Sequence, residues 1–279
     1  MMALQQPVTI PVQPWFRDHC FNGKVILPAV ETMEIMAAAV KEIGADALLR
    51  EMHDARFSKF LEIPAGATEL SALVEYDEGD EGEIGVKLLS RTCFKKISRV
   101  KEHARITFSN RPQNRGETVP VDQPFPAQPT RSMAAKRIYE ELVPFGPSYH
   151  SLTGYLHLSN LAAWGTLQAP NFPQGQDMTK ELGSPFPLDG AMHAACVLGQ
   201  ILADFIPFPV GFAERIIHKP TGAGEQYSTT VVLVSQDSAE LVFDLSIFDE
   251  EGTPCETVKG LQMRDVSGGR IKPPEWIKK

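Results

Sequence analysis

The sequence lacks the cysteine patterns that mark metal-binding and disulfide-rich proteins. Its 279 residues include only four cysteines, Cys20, Cys93, Cys196 and Cys255, and they contain no CxxC pair. Widely spaced cysteines of this kind are usually small, buried apolar side chains in a reducing compartment. The sequence therefore predicts neither a metal site nor a disulfide framework.

Positive charge and long apolar runs are also scarce. The chain has 27 Lys and Arg against 35 Asp and Glu, which gives a formal net charge of −8. Because binding to nucleic-acid phosphates needs a basic face, we expect no nucleic-acid partner. A membrane-spanning helix needs about 20 apolar residues, and the chain contains no such run; residues 1–14 also lack the features of a signal peptide. We therefore expect a cytoplasmic protein without a membrane partner.

Two segments, Ala29 to Ile43 and Asp189 to Phe205, would be apolar on nearly every side of a helix. Such a helix must be wrapped by other elements. Four strand-like runs follow each helix, and they are typical of half-buried strands. They cover residues 53–63, 68–76, 83–91 and 103–108 after the first helix, and 209–218, 227–236, 239–248 and 256–265 after the second. The pattern indicates a structural repeat, although two unrelated α+β lobes remain an alternative.

The segment from Ser109 to Thr130 is rich in proline, asparagine and glycine and has little apolar periodicity, which is typical of a linker. We therefore predict an N-terminal subdomain at 1–112, a linker at 113–130 and a C-terminal subdomain at 131–279. The last begins with a short helix at 132–142 and an extended region at 153–168. Two sheets of this kind can join edge to edge and leave a cleft between the buried helices.

The segment before the first helix contains His19, Gly23 and Pro28. Proline suits the first helical position because its φ is already helical and its missing N–H needs no partner there. Residues 19–27 are therefore predicted to form a loop that leads into a helix N-terminus. Unpaired N–H groups at such a place can bind an oxygen that gains negative charge. His19 is the candidate general base beside this oxyanion site.

Asp189 and His193 are four residues apart, so they lie on one face at the start of the second helix. His193 can there hydrogen-bond and orient the Asp189 carboxyl. The helix N-terminus lowers the pKa of Asp189, whereas burial raises it. In a dry cavity we expect burial to dominate, which leaves Asp189 as a general acid. The simpler alternative is an N-cap aspartate with a core histidine nearby.

These residues carry a family resemblance. The segment His19-x-x-x-Gly23-x-x-x-x-Pro28 matches the HxxxGxxxxP signature of dehydratase domains from modular polyketide synthases. Residues 187–193 resemble the second motif of that family, DxxxQ/H, and residues 145–149 resemble its YGPxF motif. The C-terminal segments 248–252 and 258–261 are similar to its last two strands. The resemblance implies an α+β double hotdog, in which two antiparallel sheets each wrap a central apolar helix and are joined side by side.

The resemblance also implies an activity. It implies a hydro-lyase of polyketide or fatty-acid-like biosynthesis that converts a 3-hydroxyacyl thioester, carried on the phosphopantetheine of an acyl carrier protein, into a 2-enoyl thioester and water. His19 would remove the C2 proton, Gly23 would bind the thioester oxygen through its N–H, and Asp189, held by His193, would protonate the leaving hydroxyl. No metal or redox cofactor is implied. The substrate contacts would come from Gly23, Pro28, Phe145, Gly146, Pro147 and Tyr149.

The third motif departs from the family pattern. Phe145 stands where the family has tyrosine, so a hydroxyl that could assist the leaving group is missing, and Tyr149 stands at the phenylalanine position. Two alternatives therefore stay open. An enoyl thioester isomerase could use His19 alone and would not depend on Asp189. A catalytically silent acyl-binding or scaffold module is the other. The sequence also leaves a homodimer open.

A basic cluster interrupts this acidic chain. Because carrier proteins are acidic, it is a candidate docking surface; the alternative is an ordinary solvated strand and loop. The cluster consists of Arg91, Lys95, Lys96, Arg99, Lys101 and Arg105.

Overall fold

The N-terminal half surrounds one long helix with strands. This computed structural model describes residues 4–79, 82–94, 97–111, 128–172 and 179–278. Helix α1 spans Ala29–Glu42. The strands are β1 (Leu4–Pro11), the short pair β2 (Cys20–Phe21) and β3 (Lys24–Val25), β4 (Leu48–Phe57), β5 (Glu69–Glu78), β6 (Ile84–Phe94) and β7 (Ile97–Ser109).

The C-terminal half repeats this plan and adds further elements. Its long helix α4 spans Phe186–Leu202, and every residue from Phe186 to Gln200 is buried, which fits its apolar sequence. The other helices are α2 (Ala135–Glu141) and α3 (Thr179–Leu182), and short 3-10 helices cover Pro14–Asp18, Pro147–Tyr149 and Glu275–Lys278. The strands are β8 (Arg131–Ala134), β9 (Leu152–Leu158), β10 (Ala162–Gln168), β11 (Pro207–Ile217), β12 (Gln226–Gln236), β13 (Glu240–Phe248) and β14 (Pro254–Asp265).

The long strands of both halves form one continuous sheet. Its order is β1-β5-β6-β7-β4-β11-β14-β13-β12-β10-β9-β8. The halves meet where β4 pairs antiparallel with β11, with Ile216 opposite Glu51 and Gly211 opposite Arg56. This is the edge-to-edge joining expected from the sequence. Helix α1 contacts β6, β7 and α4, while α4 contacts β9 to β13, so the two helices meet inside the sheet.

A buried ion pair lies in the core below α1. Arg215 on β11 donates from Nε to Oε1 of Glu256 on β14 at 2.7 Å, and both side chains are almost fully buried. The Arg215 guanidinium also lies 3.5 Å from the sulfur of Met33 on α1. The pair thus links two strands of the C-terminal half to the helix of the N-terminal half.

Several expected boundaries are wrong. Helix α4 begins at Phe186 rather than Asp189, with Pro187 in its first turn. The segment expected as a helix from residue 132 begins instead with β8, because that segment pairs with β9 at the edge of the sheet. The loop expected over 19–27 contains the β2–β3 hairpin. The proposed linker stays a prediction, since residues 112–127 lie outside the described ranges.

The helices are also short or polar relative to a membrane span. Among those in the described ranges, none is long and apolar enough to cross a bilayer.

Candidate active site

A cavity of about 210 Å³ lies between the two halves. His19, Asp189, His193 and Phe145 all line it, so the structure brings together four of the residues singled out from the sequence. The rest of the wall is mostly apolar and includes Leu27, Phe60, Met192, Cys196 and Phe208. A cavity of this kind excludes water and strengthens the electrostatic interactions within it.

The backbone around His19 fixes the state of its ring. His19 follows the 3-10 helix Pro14–Asp18, and its carbonyl accepts the N–H of Ile26 across the β2–β3 hairpin at 3.1 Å. In return, Nδ1 of His19 lies 3.1 Å from the carbonyl oxygen of Ile26. A carbonyl only accepts hydrogen bonds, so Nδ1 carries the proton. The lone pair is therefore on Nε2, which is the state that a general base needs.

Burial keeps His19 neutral. Its side chain is 8 % exposed, and burial lowers the pKa of His19 to about 4 against an opposing hydrogen bond to Ile26. The ring of Phe145 stacks on the imidazole at 4.2 Å between centroids, and Tyr149 contacts it edge-on at 5.2 Å. Aromatic contacts of this type exclude water and hold the ring in one orientation.

Asp189 lies in the first turn of α4 and faces His193 one turn later. Nε2 of His193 lies 3.0 Å from Oδ2 of Asp189, although the present angle does not give a hydrogen bond, and neither atom has another partner among the described residues. The N-cap alternative is wrong, because the N-cap is Pro185 and no side chain caps the helix. His193 is thus placed to orient the carboxyl after a small rotation of its ring.

Burial sets the protonation of this pair as well. It raises the pKa of Asp189 well above its ordinary value, and the nearby Glu31 carboxyl raises it further. Burial also lowers the pKa of His193 to about 3. Burial therefore favours the protonated carboxyl of Asp189 and the neutral ring of His193.

Sequence reasoning missed two residues beside this pair. Tyr139 on α2 is buried, and its hydroxyl lies 3.4 Å from Nδ1 of His193. Glu31 on α1 accepts a hydrogen bond from Trp15 Nε1 at 3.0 Å, and burial raises its pKa to about 7. Both lie in segments that were interpreted from their apolar pattern alone. A charged residue within an almost wholly apolar helix was the available signal for Glu31.

Gly23 and Pro28 do not line the cavity. Asn22 and Gly23 form the tip of the β2–β3 hairpin with φ values of 51° and 73°, the geometry of a type I′ turn that Asn-Gly favours. Gly23 is exposed there, so the expected contact between its N–H and the substrate has no support in this conformation. Pro28 is buried as the N-cap of α1, not as its first residue, and its carbonyl accepts from Thr32. Its neighbours Leu27 and Ala29 do line the cavity.

Gly146, Pro147 and Tyr149 support the site from outside the cavity wall. The N–H of Gly146 donates to the Asp18 carbonyl at 2.7 Å, and the Ser148 N–H donates to the Asp18 carboxylate at 2.9 Å. A side chain at Gly146 would meet the Asp18 carboxyl at 2.5 Å. The Gly146-Pro147 segment thus packs against the residue before His19 and places Phe145 on the imidazole.

The two remaining expectations concern metal ligands and the basic cluster on β6 and β7. Within the described ranges, no group of three or more His, Cys, Asp or Glu side chains is arranged to hold a metal ion. Arg91, Arg99, Lys101 and Arg105 are exposed on β6 and β7, whereas Lys95 and Lys96 lie outside the described residues. Arg105 pairs with Glu102 at 3.2 Å, so its charge is partly compensated.

Comparison with known protein families decides the assignment. Residues 2–91 match a family model described as a polyketide synthase dehydratase domain, and residues 117–271 match one described as a polyketide synthase dehydratase N-terminal domain. The chain belongs to the polyketide synthase dehydratase family. The description of this family implies a dehydratase role in polyketide synthesis, which is in general terms a hydro-lyase activity.

The chain is also similar to part of a much longer polyketide synthase. Polyketide synthase ThaG of Burkholderia thailandensis is 23% identical over 275 residues, which is 92% of this chain and 4% of that protein. The chain thus spans only a small part of the length of this relative.

Solved dehydratase structures share the fold. A trans-AT polyketide synthase dehydratase domain from Brevibacillus brevis superposes with a TM-score of 0.74 at 20% identity and covers 95% of this chain and 94% of its own. The dehydratase domain from the CurJ module of curacin polyketide synthase superposes with a TM-score of 0.73 at 15% identity. The match covers 95% of this chain and 92% of that domain. The double-hotdog fold is confirmed.

Proposed function

We propose that this dehydratase converts a 3-hydroxyacyl thioester, carried on the phosphopantetheine arm of an acyl carrier protein, into the 2-enoyl thioester and water. The observation that carries the proposal is that one cavity is lined by a base with a free lone pair and by a buried acid. His19 has a free Nε2 lone pair, and burial raises the pKa of Asp189 and so favours its protonated form. A neutral base beside a neutral acid is what a concerted or stepwise loss of water requires.

His19 acts first. Its Nε2 removes a proton from C2 of the acyl chain, whose acidity comes from the adjacent thioester carbonyl. The electron pair of the C–H bond moves towards that carbonyl, and its oxygen gains negative charge. We assign the stabilisation of this oxygen to the N–H groups in the first turn of α1 near Ala29, which lines the cavity. This replaces the expected role of Gly23.

Asp189 completes the reaction. Its carboxyl proton passes to the C3 hydroxyl as the C3–O bond breaks, the C2–C3 double bond forms, and water leaves. His193 orients the carboxyl, and neither side chain carries a charge that would oppose entry of an apolar acyl chain. The proton held by His19 and the charge left on Asp189 then return to their starting states through exchange with water as the product departs. No step needs a metal or a redox cofactor.

Phe145 fits this chemistry in spite of its missing hydroxyl. Its ring contacts both histidines of the site, with centroid distances of 4.2 Å to His19 and 5.3 Å to His193. We propose that it keeps water from His19 and aligns the two rings, so that proton delivery rests on Asp189 alone.

The carrier protein is the proposed partner. An acidic carrier would meet exposed basic residues on β6 and β7, among them Arg99 and Lys101, while its flexible arm brings the thioester into the cavity. Docking through this surface predicts that the apparent KM for a carrier-bound substrate rises with ionic strength, because screening weakens exposed charge contacts.

The proposed function is tested by incubating the protein with a short 3-hydroxyacyl thioester on an acyl carrier protein and following the carrier by mass spectrometry. We expect the loss of one water and the appearance of an enoyl thioester. Binding without any turnover would contradict the proposal and favour a silent acyl-binding module. A shifted double bond without water loss, starting from an enoyl thioester, would favour an isomerase.

A further inference from the structure

The imidazole of His193 faces a different partner on each side. Its Nε2 lies 3.0 Å from Oδ2 of Asp189, and its Nδ1 lies 3.4 Å from the hydroxyl of Tyr139. The ring is buried and neutral, so it carries one proton, on either Nδ1 or Nε2. The two tautomers present opposite groups to Asp189, because one offers it an N–H donor and the other a lone pair.

The proton of the Tyr139 hydroxyl is not used by its other hydrogen bond. The hydroxyl oxygen already accepts the backbone N–H of Leu152 at 2.8 Å. Its own proton is therefore available for the neighbouring acceptor, Nδ1 of His193. The tyrosine ring is held in place by the imidazole of His150, which stacks on it at 4.0 Å with an angle of 14°. His150 is in turn bonded through Nε2 to the carbonyl of Phe145 at 2.8 Å.

We propose that Tyr139 is a positioning residue that fixes His193 in the tautomer with its proton on Nε2. The hydroxyl donates to Nδ1, and a small rotation of the ring then lets the Nε2–H donate to Oδ2 of Asp189. With Oδ2 engaged as an acceptor, the carboxyl proton lies on Oδ1 and is free to reach the substrate hydroxyl. The opposite tautomer would turn a lone pair towards Asp189 and draw the carboxyl proton to His193.

Helix α2 thereby gains a role beyond packing. Phe145 brings no hydroxyl to the rings of His19 and His193, whereas Tyr139, six residues earlier, brings one to the far side of His193. The catalytic consequence rests on the proposed function, but the tautomer itself does not. The two can therefore be tested separately.

The direct test is a long-range proton–nitrogen NMR spectrum of the full chain labelled with ¹⁵N-histidine at neutral pH. The His193 signals are assigned by their loss in His193→Gln. We expect the wild type to show a protonated Nε2 and an unprotonated Nδ1. Tyr139→Phe should shift the signals towards a mixture of tautomers. A wild-type ring protonated on Nδ1, or an unchanged tautomer in Tyr139→Phe, would overturn the proposal.

Tyr227→Phe is the matched control. The Tyr227 hydroxyl likewise accepts a backbone N–H, that of Gly222 at 2.6 Å, but it donates to Glu225 and not to a residue of the site. We expect Tyr139→Phe to lower kcat about tenfold with little change in KM, the loss associated with one buried hydrogen bond. Tyr227→Phe should leave both constants and the His193 signals unchanged.

The turnover assay and the NMR spectrum test the two proposals separately. If the wild type turns over no 3-hydroxyacyl thioester, the proposed function fails, and the NMR spectrum still decides the tautomer. If Tyr139→Phe does not fold, the wild-type spectrum still tests the inference, because a His193 ring protonated on Nδ1 would contradict it.

Discussion

At the scale of single residues, burial decides which side chain of the site holds a proton. The pKa of His19 is lowered to about 4 by desolvation, while desolvation raises that of Asp189. The base is thus ready and the acid is loaded before substrate enters. Both effects depend on neighbours that exclude water, and Phe145 is the aromatic ring stacked on His19.

Removing the Phe145 ring tests this dependence. In Phe145→Ala, water reaches the imidazole, so we expect the pKa of His19 to rise from about 4 towards its ordinary value of 6.5. We also expect kcat to fall at least about tenfold because the ring loses its fixed orientation. An NMR titration of His19 measures the first effect. Phe145→Tyr keeps the stacking and should leave the pKa low; a low pKa in Phe145→Ala would contradict this explanation.

The sequence predicted the identity of these residues better than their contacts. The resemblance of the segments around His19, Asp189 and His193 to the family motifs identified a candidate base and acid. The Gly23 contact failed because a hairpin turn directs that residue to solvent, and the Asn-Gly dipeptide was the signal for it. Tyr139 lies on a separate short helix, and its approach to His193 depends on packing that no local pattern records.

At the scale of elements, helix α1 carries buried polar side chains although most of its residues are apolar. Glu31 is buried on this helix, and Glu34 is half-buried one turn on, with a pKa raised to about 8 by burial and by Glu31 against the attraction of Arg215. Arg215 itself is bound to Glu256. The contact between the helix and the sheet is therefore polar at its centre, although the helix was predicted correctly over nearly its whole length.

The buried ion pair gives a stability prediction for these strands. Glu256→Gln leaves the Arg215 guanidinium buried without its counter-charge, which should lower the free energy of unfolding by about 3–5 kcal/mol. Denaturant unfolding measures this loss. The control is Glu62→Gln, which breaks an exposed pair with Lys24 and should cost less than about 1 kcal/mol. Equal losses in the two variants would show that Arg215 finds another partner.

At the scale of the whole molecule, two halves share one sheet and place their helix starts around one cavity. The doubled pattern of helix and strands, together with the family resemblance, predicted this plan. The sequence pattern could not predict which residues of β4 and β11 pair, because this pairing depends on contacts between segments far apart in the chain. The short strand β8 was missed for the same reason. The boundary between the halves stays a prediction.

The buried carboxyls make the stability of the whole molecule depend on pH. Burial raises the pKa of Glu31 from 4.5 to about 7, so the folded state holds a proton that the unfolded state releases. The stability contributed by this proton is complete below about pH 4.5 and is lost as the pH rises through 7. Glu31→Gln should therefore exceed the wild type in stability at pH 8 by up to about 3 kcal/mol, with a smaller gain at pH 5.

Unfolding curves at the two pH values measure this difference. The amide introduced by Glu31→Gln is expected to keep an oxygen for the Trp15 N–H, so the packing should change little. The control is again Glu62→Gln, at an exposed position, which should change the free energy of unfolding by less than about 1 kcal/mol in both curves. An equal gain at pH 5 and pH 8 would mean that Glu31 does not titrate between them.

The central claim is that His19 and Asp189 divide one dehydration between them, and a single-turnover experiment in D₂O tests it most directly. A 3-hydroxyacyl thioester on its carrier protein is mixed with wild type, His19→Ala or Asp189→Asn, and mass spectrometry follows both water loss and deuterium at C2. We predict that both variants lose water at least about a hundredfold more slowly than the wild type and that Asp189→Asn still exchanges the C2 proton, whereas His19→Ala does not. Water loss at the wild-type rate in Asp189→Asn would contradict the assignment of the acid.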